Sequence, residues 1–312
     1  MPIRKWKTKF RDVISGIFAL FFIFYLRISS LLRQKTCTRL QAGVYFRQVK
    51  TSGTKNVADE NKELLQKKIR RLAGEAAVKY GMIRENDRIL AAVSGGKDSL
   101  VMLEILHQLK SAAPIRFEVI AATFDPGFPG FNLDAIAGYC RNRGFEHKTV
   151  SMQIGSILEE KNFTESPCVL CSRLRRGKLY GLARELDCGV LALGQHLDDI
   201  LISFLMSVCR GQGISTMAPC VPPKDPGKPR VIRPLALVPE KWIIEYAKML
   251  DFPRAGECQY KEQLNSGDRK YFADLLGTLE ERIPNLRSNM AKSLGHLEPE
   301  HLLVPLQQKD VL

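Results

Sequence analysis

Apolar residues recur at helical spacing from Glu60 to Tyr80, where Leu64, Leu65, Ile69, Leu72 and Ala76 share one face and Lys and Arg take the other. That stretch is predicted to be an amphipathic helix. The period then changes. Short apolar runs at Arg88–Val93, Phe117–Phe124, His147–Met152, Gly189–Leu193 and Val231–Leu237 predict five strands buried on both faces. Helical patterns fill the intervals: from Lys97 to about Lys110, Asn132–Arg143, Arg173 to Leu186, His196–Cys209 and Pro239 to Leu250. Strands alternating with helices specify βαβ units. The predicted fold is therefore α/β, a five-stranded parallel sheet with helices on both faces. Ligands of such sheets bind beyond the carboxyl ends of the strands. The residues expected on that edge are the Ser94 loop, Asp125, the Gly194 turn and the loop after the fifth strand. From Cys258 to Leu303 the pattern reads as a small helical C-terminal extension, and the closing QQKDVL as a frayed end.

Charge divides the chain unevenly. The net charge is +14, yet residues 1–58 hold twelve Lys/Arg and one acid, Asp12, which is +11. The remaining 35 basic and 32 acidic side chains nearly cancel, so contact with RNA has to come from local patches and not from a global field. Three organisational segments follow: a basic and apolar leader over 1–58, an α/β domain over 59–250 with a Cys-bearing insertion, and the helical extension over 251–312. Within the leader, the fourteen apolar residues from Val13 to Leu26 fall short of a bilayer span, although a segment reaching Leu32 and tolerating Arg27 would suffice. An organelle-targeting presequence, a membrane anchor through residues 13–32 and a spurious extension of the reading frame all remain open.

Eight cysteines without regular spacing do not form a disulfide framework and fit a reducing compartment. Cys37 lies in the leader. Cys140, Cys188 and Cys209 have apolar neighbours and are expected in the core.

The strand ending at Val93 runs straight into Ser94-Gly95-Gly96-Lys97-Asp98-Ser99 and a helix. Adjacent glycines permit a tight turn that gathers N–H groups around an anion. Ser94 and Ser99 add hydroxyls, Lys97 adds charge, and the helix start aims its positive end at the same place. A second constellation is Cys168-Val-Leu-Cys171 followed by Arg173, Arg175 and Arg176. Two thiolates so spaced suit a disulfide, zinc or an iron–sulfur cluster, and the arginines suit phosphates. The third is Gly194-Gln195-His196-Leu197-Asp198-Asp199, where the acids either cap a helix or help hold Mg²⁺. Arg233 faces phosphate or pairs with an acid.

The hexapeptide resembles the PP-loop, SGGxDS, of enzymes that split ATP between its α- and β-phosphates; it lacks the spacing of a Walker A loop. Taken together, SGGKDS, PCVLCSRLRRGKLY, ALGQHLDDI, VIRPLALVPEK and NMAKSLGHLEPEHLL resemble the tRNA 2-thiocytidine synthetases in order and spacing, from about Glu63 to Leu303. The resemblance implies a PP-loop (adenine nucleotide alpha hydrolase-like) fold. It further implies ATP-dependent exchange of oxygen for sulfur at C2 of cytidine 32 in the tRNA anticodon loop. A 4Fe–4S cluster held by three cysteines would carry the sulfur.

Carried onto this chain, the resemblance assigns ATP binding to Ser94, Gly95, Gly96, Lys97, Asp98, Ser99, Asp125 and Gly194, and catalysis to Lys97, Asp98 and Asp199. Cys168, Cys171 and Cys258 become the cluster ligands, with Cys220 as the fallback for the third. Arg173, Arg175 and Arg176 grip tRNA. Gln195 departs from the family pattern of His or Asn but still hydrogen-bonds. Expected cofactors are ATP, Mg²⁺ and the cluster; expected partners are tRNA and a sulfur donor, either a cysteine desulfurase or sulfide. A homodimer and membrane contact by the leader stay open. The expected location is cytoplasmic, with an organelle matrix or a membrane anchor as alternatives. Two other functions also remain: a lysidine synthetase-like PP-loop enzyme, which needs no cluster, and a non-catalytic adenine-nucleotide-binding protein.

Overall fold

Helix α1 (Val57–Lys79) opens the structure, a computed structural model that describes residues 57–303 apart from 153, 156, 158–166, 224 and 257–266. Leu65, Ile69, Ala73 and Ala76 are buried along one side of α1, as the spacing predicts. Leu64 is the exception and is 52% exposed, because it falls at the margin of the apolar stripe.

The strands are β1 (Asp87–Ala92), β2 (Phe117–Asp125), β3 (His147–Ser151), β4 (Val190–Ala192), β5 (Cys220–Val221) and β6 (Arg230–Ile232). They lie in the order β3-β2-β1-β4-β6-β5, and every pair is parallel except β5–β6. The sheet thus has six strands, not five, and its sixth makes an antiparallel edge. Pro219 and Pro222 bracket β5 and hold it to two residues, since neither offers an N–H to a ladder. The fifth predicted strand ends at Ile232 instead of Leu237. Pro234 cannot continue the ladder, and the chain turns, with Ala236 N–H donating to the Arg233 carbonyl at 3.0 Å.

Helix α2 (Lys97–Ala112) links β1 to β2, and α3 (Leu133–Asn142) links β2 to β3. Helix α4 (Pro167–Glu185) returns the chain to β4 on the far side of β1, and α5 (Leu197–Cys209) and α6 (Glu240–Lys248) follow β4 and β6. Strand residues alternate between two cores. Ile89, Ala91, Val119 and Ala121 pack with α1, α2, α3 and α6, while Leu90, Ile120 and Leu191 pack with Leu179, Leu182 and Ala183 of α4. Residues 99–106 of α2 are all buried. Among them, the Glu104 carboxylate is neutralised by Arg143, whose Nε donates at 2.8 Å, and by the Tyr139 hydroxyl.

Helix α4 starts at Pro167, so Cys168 and Cys171 stand one turn apart inside it rather than in a loop before Arg173. Proline at the first helical position is pre-organised for that start. The predicted extension is helical: α7 (Asp268–Arg282) and α8 (Leu286–Ser293) pack on α5 through Leu197, Leu201, Ile202, Phe272, Leu276 and Leu286. Cys140 and Cys188 are buried, as expected, but Cys209 is exposed at the last residue of α5, beyond the reach of that core. The leader, Cys258 and the closing QQKDVL lie outside the described residues. Among the described residues no helix is long and apolar enough to cross a membrane.

Candidate active site

The strand order reverses direction at β1 and β4: the chain leaves β1 toward β2 and β3, then returns to build β4 and β6 on the other side. The crevice beyond the carboxyl ends of these two strands is where such sheets bind ligands. Both loops with candidate chemistry, 94–99 after β1 and 194–199 after β4, open into it.

In the first loop the two glycines do different work. Gly95 has φ +82, and a Cβ there would sit 2.3 Å from the Ala255 Cβ and 2.8 Å from Ile136 Cδ1. It is therefore fixed by its left-handed backbone and by protein packing on it. Gly96 caps α2 with no side-chain hydrogen bond. The backbone N–H groups of Lys97 and Asp98 have no hydrogen-bond partner among the described residues, as an anion cradle requires. Ser99 ties the turn together, accepting from Ser94 N–H at 3.1 Å and donating to the Gly96 carbonyl at 2.8 Å. Gly194 supports the loop from beside it: a Cβ there would come within 3.1 Å of the Asp98 carbonyl and of Ser99 Cα.

Lys97 Nζ lies 3.0 Å from both Asp98 Oδ1 and Glu240 Oε1. Burial works against its charge, but Asp98 and Glu240 outweigh that and hold its pKa above the ordinary lysine value. His196 is buried at the same place, its Nε2 3.8 Å from Asp98, 3.4 Å from Asp199 and 3.9 Å from Glu240. One ligand atom each from Asp98, His196 and Glu240 falls within 4.8 Å of the others, a donor set able to hold a divalent cation. The His196 Nδ1 has no hydrogen-bond partner among the described residues.

The two neighbouring acids are engaged differently. Asp198, 5% exposed, accepts the Glu240 backbone N–H at 2.7 Å and Arg287 Nε at 2.6 Å, so it caps α6 from another element. Asp199 accepts the His196 N–H at 3.3 Å and pairs with Arg269 at 2.6 Å. Helix capping and the His196 cluster thus both occur within one turn. Asp125 ends β2 and accepts the Gly127 N–H at 2.8 Å, with no contact to the Lys97 cluster among the described hydrogen bonds.

Arg233 pairs with no carboxylate among the described residues and donates to the Ala218 carbonyl. Burial lowers its pKa, reinforced by Arg176 and opposed by Tyr180 and Asp199. Leu193, just before the 194–199 turn, packs in the same core as Leu170, Cys171 and Leu174 of the arginine-bearing helix α4. Among the described residues, Gln195 Oε1, His196 Nδ1 and Arg233 Nε are buried polar atoms without hydrogen-bond partners, as is Arg175 Nε on α4. A protein interior tolerates few such atoms unless a ligand or water meets them. Arg173 and Arg176 are exposed on the same helix.

Among the cysteines, Cys171 packs with the α4 core. Cys220 stands opposite Ile232 in register, and both belong to the core on the other side of the sheet. The fallback third ligand therefore faces away from Cys171. Glu240, Arg269 and Arg287 were not expected from the sequence. Only Glu240, directly after Pro239 at a strand's carboxyl edge, carried a local signal, since an acid in a first helical turn favours the dipole.

A sequence profile of the PP-loop domain matches residues 61–255. The chain is 40% identical over 240 residues to the tRNA-cytidine(32) 2-sulfurtransferase of Geobacter sulfurreducens, covering 76% of this chain and 92% of that protein. It is likewise 40% identical over 242 residues to the tRNA-cytidine(32) 2-sulfurtransferase of Aliivibrio fischeri, covering 76% of this chain and 77% of that one. Among solved structures it resembles the U34-tRNA thiolase NcsA from Methanococcus maripaludis with its 4Fe-4S cluster. That match has a TM-score of 0.60 at 26% identity over 76% of this chain and 81% of the thiolase.

Proposed function

The chain belongs to the PP-loop family and, within it, to the tRNA-cytidine(32) 2-sulfurtransferases, and from that premise we propose that it is an ATP-dependent enzyme replacing the C2 oxygen of cytidine 32 in tRNA with sulfur. The observation that carries this reading is the cluster at the β1/β4 crevice: Lys97, Asp98, His196 and Glu240 around a loop whose helix-start N–H groups have no partner among the described residues.

ATP docks with its phosphates over Ser94–Ser99. Lys97 is held by Asp98 and Glu240, the two carboxylates that with His196 suit Mg²⁺. Asp98, Glu240 and His196 would hold a divalent cation that accompanies the nucleotide, which would leave the Lys97 ammonium able to turn to the phosphoryl oxygens. The cytidine O2 then attacks the α-phosphate, pyrophosphate leaves, and the base is adenylated. Lys97 and the N–H groups at the start of α2 stabilise charge growing on the phosphoryl oxygens, the dominant contribution in chemistry of this kind. A sulfide-level sulfur then adds at C2, and AMP departs with the original oxygen.

Cys168 and Cys171, one turn apart in α4, fit two thiolate ligands of an iron–sulfur cluster. Cys258 is the proposed third: it follows Ala255, which packs on Gly95, by three residues, and three residues span at most about 11 Å. When bound, the cluster supplies an iron site able to carry the sulfur. Arg173, Arg175 and Arg176 beside the cysteines grip the tRNA backbone while the target base leaves its stack. Thiolate chemistry of this sort suits a reducing compartment, and the cytoplasm is the proposed location.

The test is an anaerobic preparation assayed with ATP, sulfide and tRNA. Mass spectrometry of RNase fragments of the tRNA should find 2-thiocytidine at position 32, with AMP and pyrophosphate formed in equal amounts. An AMP yield independent of tRNA, or thiolation without ATP, would overturn the proposal.

A further inference from the structure

The two C-terminal helices each send an arginine back to the 194–199 turn. Arg269, second residue of α7, pairs with Asp199, and Arg287, second residue of α8, pairs with Asp198. The second contact does not stop at Asp198. Its other oxygen accepts the backbone N–H of Glu240 at 2.7 Å, and the Glu240 side chain reaches Lys97 at 3.0 Å. Pro239, the N-cap of α6, provides no side-chain cap of its own, so the Asp198 carboxylate is what meets the start of that helix. Arg287 also pairs with Glu280 of α7, which orients its guanidinium between two acids. Leu286, the residue before it, is buried among Leu197, Leu201 and Phe272, so the start of α8 is packed against α5.

We infer that Arg287 is a positioning residue for the nucleotide site: through Asp198 it fixes the first turn of α6 and thereby places the Glu240 carboxylate beside Asp98 and His196. This rests on the reading of 94–99 as the ATP loop. Arginine suits the task because its planar fork meets Asp198 and Glu280 at once while staying charged at all working pH values. Asp198 is buried, so without Arg287 its charge loses its main cation and its hold on the Glu240 N–H loosens. The consequence falls on ATP and metal binding, not on sulfur delivery.

The experiment uses the full chain with its cluster, prepared anaerobically, comparing Arg287→Met, Arg287→Lys, Glu240→Gln, the double variant Arg287→Met/Glu240→Gln and the exposed control Lys292→Ala. Arg287→Met should raise KM for ATP and the half-saturating Mg²⁺ concentration about tenfold, with kcat within threefold and cluster absorbance unchanged. Arg287→Lys should fall between it and wild type. The double variant should show no higher KM than Glu240→Gln alone, because both changes act on one contact; a global packing defect would instead add. Lys292→Ala should match wild type. A KM for Arg287→Met within twofold of wild type, or additive effects in the double variant, overturns the inference. If Arg287→Met does not fold, Arg287→Lys decides, with a threefold KM rise expected and an unchanged KM fatal. Lys97→Met separates the two readings: should it keep wild-type ATP affinity, the ATP loop itself is misread, whereas loss there with a normal Arg287→Met sinks only the role of Arg287.

Discussion

Lys97 Nζ lies 3.0 Å from Glu240 Oε1, a contact between residues 143 positions apart that closes the loop after β1 onto the start of α6. With Asp98 on its other side, the ammonium sits where a divalent cation and the phosphates of ATP would share the space. Lys97→Ala should therefore lower kcat for tRNA-dependent AMP formation by roughly 10²–10³, the usual cost of removing one preorganised charge from a developing anion. Iron content and visible absorbance should stay at wild-type levels. A variant that loses both together would show that the loop supports the fold and not the chemistry.

Gly95 tests the packing of the same loop. Its φ of +82 and the 2.3 Å approach to Ala255 leave no room for a methyl group. Gly95→Ala pays twice, about 1–2 kcal/mol for the left-handed backbone plus the displacement of Ala255 and Ile136. Thermal unfolding should show a clear loss of stability, with ATP affinity falling alongside. Gly96→Ala is the contrast, because a Cβ there meets only Ser94 Oγ at 3.5 Å and φ is −77. Its stability should stay near wild type. Equal melting temperatures for the two variants would contradict this division of labour.

Asp198 and Asp199 are adjacent but differ in burial, at 8% and 25% side-chain exposure. Removing Asp198 leaves the Glu240 N–H without its cap and Arg287 without the more buried of its two acids, at a cost of about 3 kcal/mol. Asp199→Ala loses a more exposed pair with Arg269 and one N–H contact, about 1 kcal/mol. Urea denaturation of both alanine variants measures the difference. Asp199→Ala being the less stable of the two would reverse the assignment.

Local patterns made the parallel sheet, the order of its helices and the two glycine-bearing loops legible, since each is written within one contiguous segment. Strand β5 was not, because two residues between prolines carry no period. Nor was the start of α4, where a proline that reads as a break is the first helical residue. Within the site, Ser94–Ser99 and His196–Asp199 were visible as motifs. Their partners Glu240, Arg269 and Arg287 were not, because ion pairs between residues 143, 70 and 89 positions apart are made by tertiary packing alone.

His107 gives a pH signature far along α2 from the loop. It stacks on Phe145 with centroids 3.9 Å apart, and its pKa is lowered to about 4, chiefly by burial, with Lys110 and Arg143 reinforcing and Glu104 opposing. The unfolded chain takes up a proton near pH 6.5 that the folded chain refuses until about 4. The stability this contributes is full above pH 6.5 and is lost as pH falls through that window. Melting temperature measured from pH 7 to 5 should decline less steeply in His107→Gln than in wild type. Parallel curves would mean that His107 charges freely in the fold.

The cysteines separate sulfur delivery from nucleotide activation. Cys168 and Cys171 share one turn of α4, and Cys171 packs on the face of the sheet that α4 covers. Cys220 points to the opposite face with Ile232, and Cys209 is exposed at the end of α5. A cluster held beside the arginines of α4 therefore depends on the first pair and is indifferent to the second. Cys168→Ser and Cys171→Ser should lose iron, sulfide and thiolation while still binding ATP, because neither side of the Lys97–Glu240 contact involves α4. Cys258→Ala should behave like them if Cys258 is, as proposed, the third ligand. Cys220→Ser and Cys209→Ser should retain a full cluster. An anaerobic iron and sulfide count across the five variants decides it: a full cluster in Cys258→Ala would remove Cys258 from the ligand set, and an empty one in Cys220→Ser would point to Cys220 instead.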